Sequence, residues 1–252
     1  MIKFFRKIRL NFLSEGRTKR YLTYAIGEIV LVVVGILIAL QINNWNGHRR
    51  EREMEEKYLS SLHTEFSINL EKVNTSIREA TDILQDVNRL LVLFDKSVLD
   101  TVTTDSVDVM LQFLGQIATY EPSRGVLNDI ISSGNLNLIT SQELRQRLAS
   151  FESLLEYYKR QENGGISRKQ KIKEIFFKRG SLKKIAFHEN RIAYHSYSEK
   201  VNNKLLFDSV EFENYLFEYA LVLKSLASDE MFLGTIRKEI ETILKEIEQE
   251  LS

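Results

Sequence analysis

The fold is decided by an apolar stretch near the amino terminus, Tyr21 to Ile42, which reads YLTYAIGEIVLVVVGILIALQI. As a helix, these residues span about 33 Å at 1.5 Å per residue, which matches the roughly 30 Å hydrocarbon core of a bilayer. Residues 29–40 carry no polar side chain, so their insertion into lipid outweighs the cost of Glu28 near the start. Residues 21–46 are therefore predicted to form a transmembrane helix.

Two other kinds of segment also contain long apolar stretches: a buried helix of a soluble protein and a cleaved signal peptide. A buried helix of a soluble protein is disfavoured by the length of the apolar stretch. A cleaved signal peptide would need an unusually long cationic region, and no A-x-A cleavage site follows Leu40. An uncleaved signal anchor fits better than either.

The charges that flank the span predict its orientation. Four basic residues follow it within residues 47–57, and seven precede it: Lys3, Arg6, Lys7, Arg9, Arg17, Lys19 and Arg20. Because the cytoplasmic flank carries the excess of Lys and Arg, the amino terminus is expected in the cytoplasm and the bulk of the chain outside it. The expected location is the cytoplasmic (inner) membrane, with a single pass.

The basic tail, residues 1–20, has an amphipathic segment. Ile2, Phe5, Ile8 and Phe12 share one face of a helix over residues 2–13, which favours a helix lying flat on anionic lipid. A solvated cationic tail that only sets the topology explains the same residues equally well.

Composition narrows the class of the remaining chain. Among 252 residues Pro occurs once and Cys is absent, and Lys plus Arg equals Asp plus Glu at 35 each. One Pro argues against all-β and α/β domains, whose many turns use Pro and Gly. The absence of Cys excludes disulfides and thiolate chemistry, and the zero net charge argues against a nucleic-acid partner.

Spacings of three and four place apolar residues on one face of a long helix that follows Trp45, with Gly47 as a candidate hinge. These residues are Met54, Tyr58, Leu62, Phe66, Leu70, Val73, Ile77, Ala80, Leu84, Val87, Leu91 and Phe94. Further helices are predicted over 107–120, over 124–133, from a T-x-x-E capping box at Thr140 to Glu143, and over 212–251.

Local signals suggest where these helices begin and end. Thr104 or Asp105 is the expected cap of the first, Pro122 marks the start of the second, and Gly134 caps its end. Residues 135–139 alternate polar and apolar. Gly164-Gly165 is expected to interrupt or kink the third helix, whereas residues 208–211 resemble a capping box and Ser228-Asp229 weakens the last pattern.

The sequence therefore predicts an all-α protein in which a single N-terminal transmembrane helix precedes an elongated antiparallel helical bundle. Its expected parts are a basic amphipathic cytoplasmic tail over 1–20, a transmembrane helix over 21–46 and an extracytoplasmic helical domain over 47–252.

Catalytic motifs are absent. The chain has no Walker phosphate loop, no G-x-G-x-x-G after a strand and no G-x-S-x-G elbow. His188-Glu189 begins an H-E-x-x-H motif whose second His is missing, which leaves a weak metal candidate formed with His195 and Glu199. No cofactor is expected.

Residues 168–184 form a basic stretch in which Glu174 is the single acidic residue. It could contact anionic lipid, nucleic acid or an acidic protein. The simpler interpretation is a solvated helix face, partly neutralised by the acidic C-terminal helix.

Two blocks of sequence carry a family resemblance. One is the amino-terminal region, MIKFFRKIR followed by YAIGEIVLVVVGILIALQINNW; the other runs through YEPSRG (120–125), ISSGNLNLI (131–139) and ELR (143–145). Together they resemble a family of uncharacterised bacterial single-pass membrane proteins, a domain of unknown function. The resemblance implies the architecture and the membrane location and brings no activity. The second block is expected to be a helical corner, or a partner or ligand contact through Glu121, Arg124, Asn135 and Asn137.

The predicted function is a membrane-anchored cell-envelope interaction or sensory-type module without enzymatic activity. Its expected partners are the lipid bilayer, other envelope proteins and a second copy of the chain. A helical bundle that binds a small ligand and a membrane-anchored enzyme are the alternatives.

Self-association of the membrane helix is the first testable prediction. Gly27, Gly35 and Ala39 share one helical face, where small side chains let a second backbone approach closely. In an in-membrane association assay on residues 15–50, Gly35→Leu should abolish the dimer signal, whereas Val33→Leu on the opposite face should preserve it. An equal signal from both variants would leave the helix as a plain anchor.

Overall fold

The computed structural model describes residues 18–188 and 201–252, and all regular structure in these residues is helical, which confirms the all-α prediction. The α-helices are α1 (Thr18–Leu91), α2 (Lys96–Leu99), α3 (Thr104–Met110), α4 (Gly125–Ser132), α5 (Gln142–Arg179), α6 (Leu182–His188), α7 (Val210–Ala227) and α8 (Phe232–Leu251). Four 3₁₀ helices also occur in these residues, at Val92–Phe94, Leu111–Gly115, Asn135–Leu138 and Asn203–Asp208. The amphipathic segment predicted over 2–13 lies outside the described residues.

The apolar span forms part of α1. Among the described helices, α1 is long and apolar enough to cross a membrane, and none of its most apolar window is buried. Leu31, for example, is 74% exposed. An apolar surface of this extent in water is unfavourable, which argues against a core helix and agrees with insertion into lipid. A Cβ atom at Gly27 or Gly35 would meet no other heavy atom within 4 Å, so the predicted contact face is open in this helix.

The chain divides into two compact units, one up to Glu56 and one from Lys57 to Ser252. Helix α1 continues through Gly47 without a break in its helical hydrogen bonding. The hydrophobic core lies in the second unit, beginning at Leu59.

Helix α5 organises the second unit because it packs against both α7 and α8. It runs antiparallel to α8, since Arg147 contacts Glu246 while Tyr157, further along α5, contacts Phe232 at the start of α8. Phe66 of α1 meets Phe151 of α5 edge to face at 5.1 Å, so α1 closes the same core. The antiparallel bundle packing is thus confirmed for this unit.

The apolar stripe on α1 is present, but its centre lies slightly away from the predicted line. Five of the expected positions are fully buried: Leu62, Phe66, Val73, Ala80 and Val87. Ile77 and Leu84 are only partly buried at the edge of the core, and Met54 is 43% exposed. Three fully buried positions, Leu59, Ile83 and Leu90, were absent from the predicted stripe.

The helix predicted over 107–120 is wrong in its second half. Helix α3 ends at Met110, a 3₁₀ turn continues to Gly115, and residues 116–124 form no regular structure. The cap is Thr103, whose hydroxyl accepts a hydrogen bond from the backbone N–H of Ser106. Pro122 lies within this irregular segment and does not open a helix, because α4 begins at Gly125.

Two other caps lie one residue away from the predicted positions. Ser141 replaces Thr140 as the cap of α5, and Ser209 replaces Asp208 as the cap of α7. In each case the serine hydroxyl accepts a hydrogen bond from the backbone N–H three residues later, as N-caps do. Gly134 follows α4 with φ of 74°, which confirms its predicted role at the end of that helix.

Two further predictions are corrected. Gly164 and Gly165 do not interrupt α5; a Cβ at Gly165 would lie 2.9 Å from Cγ1 of Val222, so this glycine permits close packing of α7. The alternating residues after Gly134 form a 3₁₀ turn. The weakness at Ser228-Asp229, by contrast, is a real break that separates α7 from α8.

The second prediction tests which face of α1 is buried in the core. Ile83 is 2% exposed, whereas its neighbour Leu84 is only partly buried. Ile83→Ala should lower the free energy of unfolding by about 2–5 kcal/mol, through lost burial and the cavity left behind. Leu84→Ala should cost clearly less in the same urea titration, and a larger loss for Leu84→Ala would contradict the register.

Candidate functional site

The irregular segment 116–124 is held by side chains from two helices. Asn69 of α1 pairs with both backbone groups of Ser123: its Nδ2 donates to the carbonyl at 2.8 Å, and its Oδ1 accepts from the N–H at 2.7 Å. The hydroxyl of Ser76 donates to the Thr119 carbonyl at 2.7 Å. From α5, Glu162 accepts the N–H of Tyr120 at 3.0 Å. These bonds replace the backbone partners that a helix would have supplied.

Helix α4, which follows the segment, is capped by a residue from another helix. Its N-cap residue, Arg124, makes no side-chain capping bond. The carboxylate of Glu65 on α1, only 7% exposed, accepts from the backbone N–H of Val126 at 2.8 Å and of Leu127 at 3.0 Å. A negative charge on the free N–H groups at a helix start is stabilising, so Glu65 locks α4 onto α1.

A small pocket opens between this segment and α5. Its volume is about 130 Å³, and it is lined by Tyr120, Glu121, Pro122, Arg124, Glu152, Leu155, Glu156, Tyr158 and Lys159. Four of the five charged residues along its wall form ion pairs, and Glu156 is the exception among the described contacts. Arg124 lies 2.6 Å from Glu152, and Lys159 bridges Glu121 at 2.5 Å and Glu162 at 2.6 Å. The pocket therefore has an ordered, charged wall.

Two tyrosines form the inner part of the pocket. Tyr120 and Tyr158 are 1% and 2% exposed, with ring centroids 6.0 Å apart in an edge-to-face arrangement. The Tyr158 hydroxyl donates to Oε1 of Glu162 at 2.8 Å, while the Tyr120 hydroxyl has no hydrogen-bond partner within residues 18–188 and 201–252. Burial raises the pKa of both phenols, and the charge of Glu162 adds to the rise in the pKa of Tyr158. Both hydroxyls therefore stay protonated at neutral pH.

The four predicted contact residues do not form one site. Glu121 and Arg124 line the pocket. Asn135 lies elsewhere and donates to the hydroxyl of Tyr58 at 2.9 Å, and that hydroxyl donates to Asp129 at 3.3 Å. Asn137 is exposed on the 3₁₀ turn after α4.

The site also uses residues that the sequence reasoning missed, chiefly Glu65, Asn69, Glu152 and Glu162. A signal for some of them was present. Glu162 falls on the inward stripe of α5 between Tyr158 and Gly165, and Asn69 falls between Phe66 and Val73 on the buried stripe of α1. A polar side chain at a position that helical spacing assigns to the core requires a polar partner there.

The basic stretch 168–184 is only partly a solvated face. Lys169 and Lys184 are 4% and 6% exposed, and burial together with the charge of Lys173 lowers the pKa of Lys169 to about 8. Arg168 pairs with Glu218 of α7 at 3.5 Å.

Two acids of the C-terminal helix pair with a basic residue outside this stretch. Glu239 and Glu246 of α8 bind Arg147, near the start of α5, at 3.0 and 2.8 Å.

The weak metal candidate falls largely outside the described residues, since Glu189, His195 and Glu199 lie in 189–200. Among the residues that are described, no three His, Asp or Glu side chains converge closely enough to hold a metal ion.

Residues 28–216 match the model of a family of unknown function, DUF6090. The chain belongs to DUF6090. The DUF6090 match begins within the apolar span and includes segment 116–124, the pocket and α5, and it ends in α7. Comparison with curated proteins finds no match, and comparison with solved structures also finds none.

The third prediction concerns the two hydrogen bonds between the Asn69 side chain and the backbone of Ser123. Asn69→Ala leaves both part-buried backbone groups of Ser123 without their partner, and an unpaired group away from water costs about 1–3 kcal/mol. The free energy of unfolding in urea should therefore fall by about 2 kcal/mol or more. Asn88→Ala, at an exposed position of the same helix, is the control and should change it by less than about 0.5 kcal/mol. Equal effects would show that the pairing is energetically unimportant.

Proposed function

We propose that this protein is a membrane-anchored module of the cell envelope that acts by binding, without enzymatic activity. The observation that carries the proposal is the apolar span of α1, of which no part of the most apolar window is buried. Lipid is the surrounding that makes such a surface favourable. The excess of basic residues before the span supports a cytoplasmic amino terminus and a helical unit outside the cytoplasm.

The chemistry of the second unit supports binding over catalysis. Three buried polar side chains near the pocket form hydrogen bonds with backbone groups. Glu65 caps α4, Asn69 pairs with Ser123, and Glu162 accepts from the N–H of Tyr120. Side chains committed in this way position a surface and are not free to move protons or attack a substrate. Partners would be other envelope proteins, including a second copy of the chain.

A second candidate function, the binding of a small ligand, is favoured by the pocket itself. It is concave and combines apolar walls with polar groups, and the Tyr120 hydroxyl is buried without a partner among the residues that the structure describes. Ligand sites typically show this combination. A module of this kind would present a pocket outside the membrane and depend on another protein for any output.

Topology is the fourth prediction, and the absence of native Cys makes it simple to test. On spheroplasts, a membrane-impermeant maleimide should label Lys224→Cys, at an exposed position on α7, and should not label Lys3→Cys until the cells are lysed. Both variants should remain in the membrane pellet after alkaline carbonate extraction. Release by carbonate would contradict the anchor, and the reverse labelling pattern would contradict the orientation.

A further inference from the structure

We infer that the pocket beside Tyr120 binds a small organic cation, a primary alkylammonium group with a short apolar body. This inference rests on the second candidate function and names its ligand class. Three features carry it: the charge balance of the wall, two polar atoms without a partner, and the size and aromatic character of the interior.

The charge balance of the wall is negative. Three carboxylates line the pocket, Glu121, Glu152 and Glu156, against two cations, Arg124 and Lys159. Both cations are already held in ion pairs, and Lys159 is shared between Glu121 and the buried Glu162. Glu156 makes no ion pair with any described residue. An incoming anion would therefore find no free positive charge, whereas a cation meets unneutralised carboxylate.

Two buried atoms of the residues that line the pocket lack a hydrogen-bond partner in the described part of the chain. They are the hydroxyl of Tyr120 and Oε2 of Glu152, whose Oε1 is bound by Arg124. Tyr120 is 1% exposed, so its hydroxyl is shielded from solvent. A buried polar group left unpaired is costly, and a bound group that supplies several N–H donors would remove that cost. An ammonium group has three such donors and no acceptor.

The rest of the interior suits the apolar part of such a ligand. Leu155, Pro122 and the rings of Tyr120 and Tyr158 provide apolar and aromatic surface. Aromatic faces also attract cations. A volume of about 130 Å³ accommodates about six non-hydrogen atoms. A metal ion is the poorer occupant, since no three potential ligands converge among the described residues.

The fifth prediction tests this inference with three probes of nearly equal shape: n-butylammonium, n-butanol and butyrate. Calorimetric titration of the purified full chain in detergent at pH 7 should give saturable binding of butylammonium, at least about 10-fold tighter than butanol, and none of butyrate. Glu152→Gln and Tyr120→Phe should each weaken butylammonium binding at least about 10-fold. Glu213→Gln, an exposed change on α7, should leave it unchanged. Thermal unfolding of each variant verifies that it is folded.

The possible outcomes separate the two ideas. Tighter binding of butyrate or butanol would overturn the cation inference and leave the pocket as a ligand site of another class. Binding of none of the three would mean that solvent fills the pocket, which overturns both the inference and the small-ligand function. Butylammonium binding that Glu152→Gln and Tyr120→Phe leave unchanged would place it outside this pocket and also overturn the inference.

Discussion

The paired hydrogen bonds between Asn69 and the backbone of Ser123 are the constraint on which the rest of the site depends. A chain that leaves helical structure inside a helical bundle exposes N–H and C=O groups to an apolar core, and each must find a partner. Residues 116–124 find theirs on Asn69, Ser76 and Glu162. The segment is thereby fixed between α1 and α5, and its outer side becomes the wall of the pocket.

The need for hydrogen-bond partners also explains the positions of the buried carboxylates of Glu65 and Glu162. Glu65 and Glu162 are 7% and 2% exposed, yet each accepts two hydrogen bonds from the groups around it. Glu162 also has Lys159 at 2.6 Å, so its charge is balanced inside the protein. Buried carboxylates without such partners would be strongly destabilising. The polar side chains inside this bundle therefore specify one arrangement of the segment.

The sequence predicted the helical class, the apolar span and several helix ends to within one residue, because periodicity and capping residues are local signals. On α5, for example, the apolar residues spaced by three and four are all buried: Leu144, Leu148, Phe151, Leu155 and Tyr158. The predictions that failed concern features that depend on residues far apart in the sequence. The stretch 116–120 has no strong helix breaker, and only the distant side chains of Asn69, Ser76 and Glu162 explain why it leaves the helical state. Glu121 and Arg124 were found as site residues, whereas Glu152 and Lys159 became recognisable only once α5 was placed beside them.

Amide hydrogen exchange of the full chain tests the central claim most directly. The N–H groups of Tyr120 and Ser123 lie outside every helix, so in a loop without fixed partners they would exchange at nearly the rate of an unstructured peptide. If Glu162 and Asn69 hold them, both should be protected on the order of 100-fold or more, and Asn69→Ala should remove the protection of Ser123 while leaving that of helical amides such as Leu148 intact. Exchange of Tyr120 and Ser123 in the native protein at unprotected rates would contradict the account.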